Sequence, residues 1–119
     1  MRQQDEFRLA CVVADYLALT LPKRVLWSHL PFGENRSAVT GARLKRMGAK
    51  RGWPDYLIVH DSGVVAIELK APKGKQSEEQ RDFSDTITAA GGAYHVCRSL
   101  DDVKAALQLS AVPTLAVTW

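Results

Sequence analysis

Two apolar runs, Tyr56-Leu57-Ile58-Val59 and Val64-Val65-Ala66-Ile67, stand on either side of Asp61-Ser62-Gly63. Runs this short, rich in β-branched residues and joined by turn residues, read as the arms of an antiparallel hairpin, Tyr56 to His60 and Val64 to Lys70. Their apolar residues are continuous rather than alternating, which predicts a sheet covered on both faces. Yet Asp55 opens the first arm, and Glu68-Leu69-Lys70 ends the second. Ionised groups in apolar surroundings are costly unless something pairs with them.

Residues two apart on a strand share a face, so Glu68 and Lys70 point the same way and Leu69 points opposite. Closing the turn at Ser62-Gly63 brings Asp55 opposite Leu69 to Lys70, give or take one residue of register. Side chains directly opposed across a hairpin sit about 5 Å apart, so Asp55, Glu68 and Lys70 can converge at one end of the sheet. Two carboxylates and a nearby main-chain carbonyl make an oxygen-rich site of the kind magnesium takes. The adjacent ammonium can hold an attacking water or neutralise charge on a phosphate. The alternative for the same residues is a salt bridge at a frayed strand end.

The remaining elements follow from periodicity and caps. Phe7, Cys11, Ala14, Leu17, Ala18 and Leu21 recur at helical spacing and predict a helix over residues 4–19 with that stripe inward. On this helix Asp5 falls on the wet side and Glu6 on the edge of the stripe. Arg24 to Leu30 reads as a strand, and Ser37 to Arg46 as a short helix or irregular basic segment. Glu78 to Ala90 is a helix with Ser77 at its N-cap, two acids in its first turn and Gly91-Gly92 as its stop. Ala93 to Ser99 is a strand, and a last helix follows, capped by Ser99 or Asp101. The helix between the hairpin and the last strand makes a crossover, hence a parallel pairing. The expected architecture is α/β, a mixed sheet flanked by helices, with residues 1–119 as one domain.

The closing residues "AVPTLAVTW" carry no charge. They are expected to fold back as an extra strand or layer, or to be covered by a second copy. Cys11 and Cys97 have no metal-type spacing and are expected to be buried, reduced thiols. His29, His60 and His95 fall on separate strands and read as structural. The N-terminus lacks the apolar stretch of a signal peptide and no run approaches a membrane span, which predicts a cytoplasmic protein, in a bacterial or phage-infected cell.

The net charge is only +3, but its distribution is uneven. From Pro22 to Pro54 there are eight basic residues (Lys23, Arg24, Arg36, Arg43, Lys45, Arg46, Lys50, Arg51) against the single acid Glu34. Lys70, Lys73 and Lys75 follow. Such a segment suits a polyanionic partner, or serves as a solvated face.

The stretch "GWPDYLIV…VVAIELKAPKGKQSEEQRDF" resembles the PD-(D/E)XK nucleases, which have the restriction-endonuclease-like fold. Within them the chain most resembles the virus-type replication-repair nuclease domain, VRR-NUC, of the free-standing viral and bacterial type. That family's helix-borne Glu, G-x-P-D, E-x-K and following Gln are matched in order by Glu6, Gly52 to Asp55, Glu68 to Lys70 and Gln80. The resemblance covers nearly the whole chain and implies an αβββαβ core, in agreement with the order read above. It implies that Asp55 and Glu68 bind magnesium, for which manganese substitutes, with the Leu69 carbonyl helping and Glu6 completing the site or orienting water. Lys70 would be the catalytic lysine, and Gln80 would support it or the water. Ser77-x-x-Gln80 is also a capping box, which needs no active site. Asn35 receives no role, because the loop around it departs from the Asn-containing loop of many relatives.

The resemblance further implies a homodimeric DNA endonuclease of DNA repair, acting on branched substrates such as Holliday junctions or flaps. A chain of this size is expected to read DNA shape rather than base sequence. The competing reading is a non-catalytic DNA-binding module on a nuclease-like fold. A small RNA-binding structural protein is a third, and it gives no reason for Glu68 and Lys70 in a buried strand.

Overall fold

The computed structural model describes residues 2–31 and 37–116. Helix α1 (Arg2–Thr20) is followed by strand β1 (Leu26–His29), helix α2 (Ala38–Arg46) and strands β2 (Tyr56–His60) and β3 (Gly63–Leu69). Helix α3 (Glu78–Ala89), strand β4 (Ala93–Cys97) and helix α4 (Leu100–Leu109) complete the order. The sheet runs β1-β2-β3-β4, antiparallel across the first three strands and parallel between β3 and β4. This is the expected mixed α/β architecture. Its expected caps are in place as well: Ser77 begins α3 and Ser99, not Asp101, begins α4.

The register differs slightly from the sequence expectation. His60 pairs with Gly63, so the turn is the two residues Asp61-Ser62. Gly63, at φ +138, occupies the first position of β3, where a side chain would be strained. Tyr56 pairs with Ile67, and one step further the register sets Asp55 against Glu68. The two carboxylates therefore stand directly opposed on one face of the sheet.

One face of the sheet carries Tyr56, Ile58, Val65, Ile67, Leu69 and Cys97 into a single buried cluster. Helix α1 supplies Val13, Tyr16 and Leu17, Leu21 follows just past its end, and α4 supplies Val103, Ala106 and Leu107. The other face is covered less completely. On α3, Phe83 stacks between Trp53 and Tyr94 at 5.0 and 6.1 Å, yet no residue of that helix is fully buried. An apolar groove of about 760 Å³ runs between α3 and the sheet. The expectation that both faces are sealed thus holds for the central strand β3, buried from Val65 to Leu69, and not for β2, where Val59 is 43% exposed.

The predicted stripe of α1 is a second correction. Phe7, Cys11 and Ala18 are exposed, and the buried face is Val13, Tyr16, Leu17, Thr20 and Leu21, roughly a quarter turn away. Two polar groups make this face viable. The Thr20 hydroxyl donates to the Tyr16 carbonyl at 2.7 Å, and the Tyr56 hydroxyl, reaching over from the sheet, donates to the Ala10 carbonyl at 3.0 Å. Tyr16 in turn lies beneath the Lys104 ammonium, 5.4 Å from its ring centre.

The expected pair of buried thiols is half right: Cys97 is buried and Cys11 exposed, both free. His29 and His95 bond the Asp55 carbonyl and the Ser110 hydroxyl. The tail folds back as a layer: Val112 is buried, and the Leu115 N–H donates to the Thr20 carbonyl at 2.6 Å. Trp119, Asn35 and Arg36 lie outside the described residues.

Candidate active site

The loop before β2 delivers Asp55. Gly52 takes φ +88 and passes so close to α3 that a Cβ there would meet the Glu79 carbonyl oxygen at 2.5 Å. Pro54 is buried behind it. Asp55 is then gripped on both sides. Its own carbonyl accepts from the Leu30 N–H at 2.7 Å and bonds His29 Nδ1 at 2.9 Å. Its Oδ2 accepts from the Leu69 N–H at 2.6 Å across the hairpin. That last bond ties the Asp55 carboxylate to the backbone of Glu68-Leu69-Lys70.

Glu68 is 4% exposed, and its Oε1 is enclosed with no hydrogen-bond partner among the described residues. Burial pushes its carboxyl up to about 9, aided by the hydrogen bonding and negative charge of Asp55. Glu6 adds to the effect and Lys70 only partly offsets it. Lys70 Nζ stands 4.0 Å from Glu68 Oε2. The salt-bridge alternative is therefore incomplete as an account: the pair exists at the limit of contact and leaves the other oxygen stranded in the interior, which is costly.

A cavity of about 650 Å³ opens over these groups. Glu6, Asp55, Glu68, Leu69, Lys70 and Gln80 all line it, so all five side chains proposed from sequence reach one place. Phe7, Cys11 and Ala14, part of the predicted stripe of α1, form its apolar wall. Glu6 Oε1 accepts from the Ala71 N–H at 3.3 Å, just past Lys70. Gln80 Oε1 accepts from the Ser77 N–H at 2.9 Å, completing the capping box, so that oxygen serves the helix start while the residue lines the cavity. Among the described residues no three of His, Cys, Asp and Glu gather as a ligand cluster. The close set is Asp55 and Glu68.

A stranded, buried carboxylate oxygen beside a second carboxylate fits a divalent cation. Such an ion would satisfy the orphan oxygen and favour ionised Glu68 against the burial that opposes it. Magnesium suits the pair because it takes one or two carboxylates and keeps several waters.

The basic residues named from sequence are exposed wherever they are described: Lys23, Arg24, Arg43, Lys45, Arg46, Lys50, Arg51, Lys73 and Lys75. Arg43, Lys45 and Arg46 sit in the last turn of α2, the negative end of its dipole.

Arg98 was not visible as a site residue in the sequence. One terminal nitrogen donates to the carbonyls of Ala71 at 2.7 Å and Gly74 at 2.8 Å, with Pro72 at 3.4 Å. It staples the loop that leaves Lys70 and carries Lys73 and Lys75. Ala71 is thus held by Glu6 through its N–H and by Arg98 through its carbonyl. The only sequence signal was a cation at the C-terminal end of the strand that runs parallel to Glu68.

A family model described as the VRR-NUC domain matches residues 13–101. Asp55, Glu68, Lys70 and Gln80 lie inside that span, and Glu6 precedes it. A solved structure described as a "VRR_NUC domain protein" shares 21% identity, covering 92% of this chain and 90% of its own, with a TM-score of 0.73. That likeness speaks for the fold. No curated protein matches.

Proposed function

The chain belongs to the VRR-NUC domain family, and on that premise we propose that it is a magnesium-dependent, structure-selective DNA endonuclease. The family is nuclease-like and the fold is of the nuclease type. The observation that carries the reading is Glu68: a buried carboxyl with a stranded oxygen, opposed to Asp55 and beside Lys70, on the floor of an open cavity.

Asp55 and Glu68, with the Leu69 carbonyl and Glu6 completing the set, would hold the cation, magnesium or in its place manganese. Bound there, it would supply Lewis-acid polarisation of the phosphodiester and a nucleophile at neutral pH. The protein does the rest. Asp55 keeps its position because Leu69 N–H holds one oxygen. Glu68 gives up its proton when the site is filled. The Lys70 ammonium faces the charge that builds on the phosphate. Gln80, fixed by the cap of α3 and lining the cavity, would orient Lys70 or water. The exposed cations of α2 and the two loops grip the DNA backbone, which reads shape rather than sequence and suits branched substrates such as Holliday junctions and flaps.

Cleavage of single-stranded, duplex, flap and four-way-junction DNA, with and without magnesium, tests this. The expected result is magnesium-dependent cutting favouring the branched forms. Lys70→Ala should lower turnover by about 10²-fold if it stabilises transition-state charge. Binding without cutting would instead support a non-catalytic module. An unchanged Lys70→Ala rate would return that residue to a structural ion pair.

Neutralising Arg43, Lys45 and Arg46 together should weaken binding to all DNA sequences alike and reduce the slope of affinity against salt. Unchanged affinity at low salt would make the segment a solvated face.

We also propose a homodimer, which would present two sites to one branched DNA. The supporting feature is the tail's return to the end of α1, with Leu19, Leu109 and Leu115 left 54%, 80% and 53% exposed. Light scattering checks this: a mass near the 13.1 kDa of one chain would refute it.

A further inference from the structure

Glu68 Oε1 is not alone. Among the described residues the other enclosed side-chain polar atom without a hydrogen-bond partner is the Tyr94 hydroxyl. The sheet places the two residues on one face, a diagonal step apart. Tyr94 on β4 pairs with Ala66 on β3, and Glu68 is the next residue of β3 on the same face. The Tyr94 ring packs on Phe83 of α3, 6.1 Å between centres, so the ring is held from the helix side. Its hydroxyl makes no hydrogen bond of full geometry, yet the side chains of Gln76 and Glu68 stand close enough to influence its ionisation. A phenol is a hydroxyl donor at neutral pH.

A buried hydroxyl left without a partner costs about 1–3 kcal/mol, and Phe would fill the same space against Phe83 without that cost. A tyrosine here is explained if the hydroxyl has a partner in the working state. Gln76 and Glu68 are the candidates, and Glu68 is the one with an oxygen to satisfy.

Granting that Glu68 is a cation ligand, we propose that Tyr94 is a positioning residue of the site: its hydroxyl donates to the Glu68 carboxylate and holds it in the orientation that ligates. Partners of this kind, which orient a ligand without touching the ion, typically contribute 10- to 100-fold in metal affinity.

The test is manganese binding to the protein without DNA, followed by electron paramagnetic resonance, in wild type, Tyr94→Phe, Glu68→Ala and the double variant. Tyr94→Phe should weaken binding by about 10-fold or more while its thermal midpoint stays level or rises. In the Glu68→Ala background the same change should have no further effect, because the group it positions is gone. Wild-type affinity in Tyr94→Phe would overturn the proposal and leave the hydroxyl to Gln76. So would a loss accompanied by a fall in the thermal midpoint, or one that is additive with Glu68→Ala. A wild-type protein that binds no manganese removes the metal site and this proposal with it. One that binds manganese but cuts no DNA sinks only the nuclease reading.

Discussion

Glu68→Gln should abolish magnesium-dependent cleavage and, in the same protein without metal, raise thermal stability at alkaline pH. The first effect follows from the proposed role of Glu68 as a metal ligand. The second follows from burial. Glu68 is an acid whose folded-state value lies at about 9 against an ordinary 4.5. Between those values the folded chain holds a proton that the unfolded chain has released. Stability therefore falls as pH rises through that window, by at most about 1.4 kcal/mol per unit. Glutamine stays neutral in both states, so the variant lacks this slope.

Comparing the two proteins cancels other titrations. One of these is His95, which burial lowers and which therefore loses stability toward acid instead. On the proposed metal role, magnesium should reverse the wild-type trend, because it would need the ionised carboxylate, and its affinity should climb with pH toward about 9. Melting curves of the metal-free proteins across this range decide the matter. A Gln variant less stable than wild type throughout would show that Glu68 serves Lys70 as a structural partner. Residual full cleavage would remove Glu68 from the ligand set.

Gly52→Ala should be the most damaging change outside the cavity. At φ +88 any side chain is strained, which by itself costs on the order of 1–2 kcal/mol. Here the new Cβ would also lie 2.5 Å from the oxygen and 2.6 Å from the carbon of the Glu79 carbonyl, and backbone cannot step aside as a side chain can. The loop before Asp55 would have to part from the first turn of α3, the turn that carries Gln80. A loss of about 3 kcal/mol or more, and a drop in melting temperature on the order of 10 °C, is expected.

Gly48→Ala is the control. It shares the positive angle, φ +102, but nothing lies within 4 Å of its Cβ, so it should cost only the strain. Equal losses at the two positions would mean that the contact with Glu79 is unimportant. The glycine of the Gly-x-Pro-Asp stretch is thus explained by how closely two backbones approach.

The hairpin, the caps at Ser77 and Ser99 and the parallel crossover were legible because each depends on neighbours in the chain. A turn dipeptide, a capping hydroxyl and a period of two or 3.6 residues are local facts. The convergence of Asp55, Glu68 and Lys70 followed from them, since a hairpin makes two distant stretches neighbours by construction. The register to the residue did not, because it turned on whether Gly63 closed the turn or opened the strand.

The buried face of α1 was likewise undetermined. The helix is apolar on two sides, and only the sheet and α4 decided that Tyr16 and Thr20 go inward while Phe7 and Cys11 line the cavity. Arg98 and Tyr94 were beyond reach for the same reason. The carbonyls of Ala71 and Gly74 that Arg98 bonds, and the place of Tyr94 on the same sheet face as Glu68, come from a parallel pairing across an intervening helix. Sequence determined which residues could do chemistry. The tertiary structure decided which of them are stranded without a partner, because desolvation depends on what packs around a group and not on what precedes it in the chain.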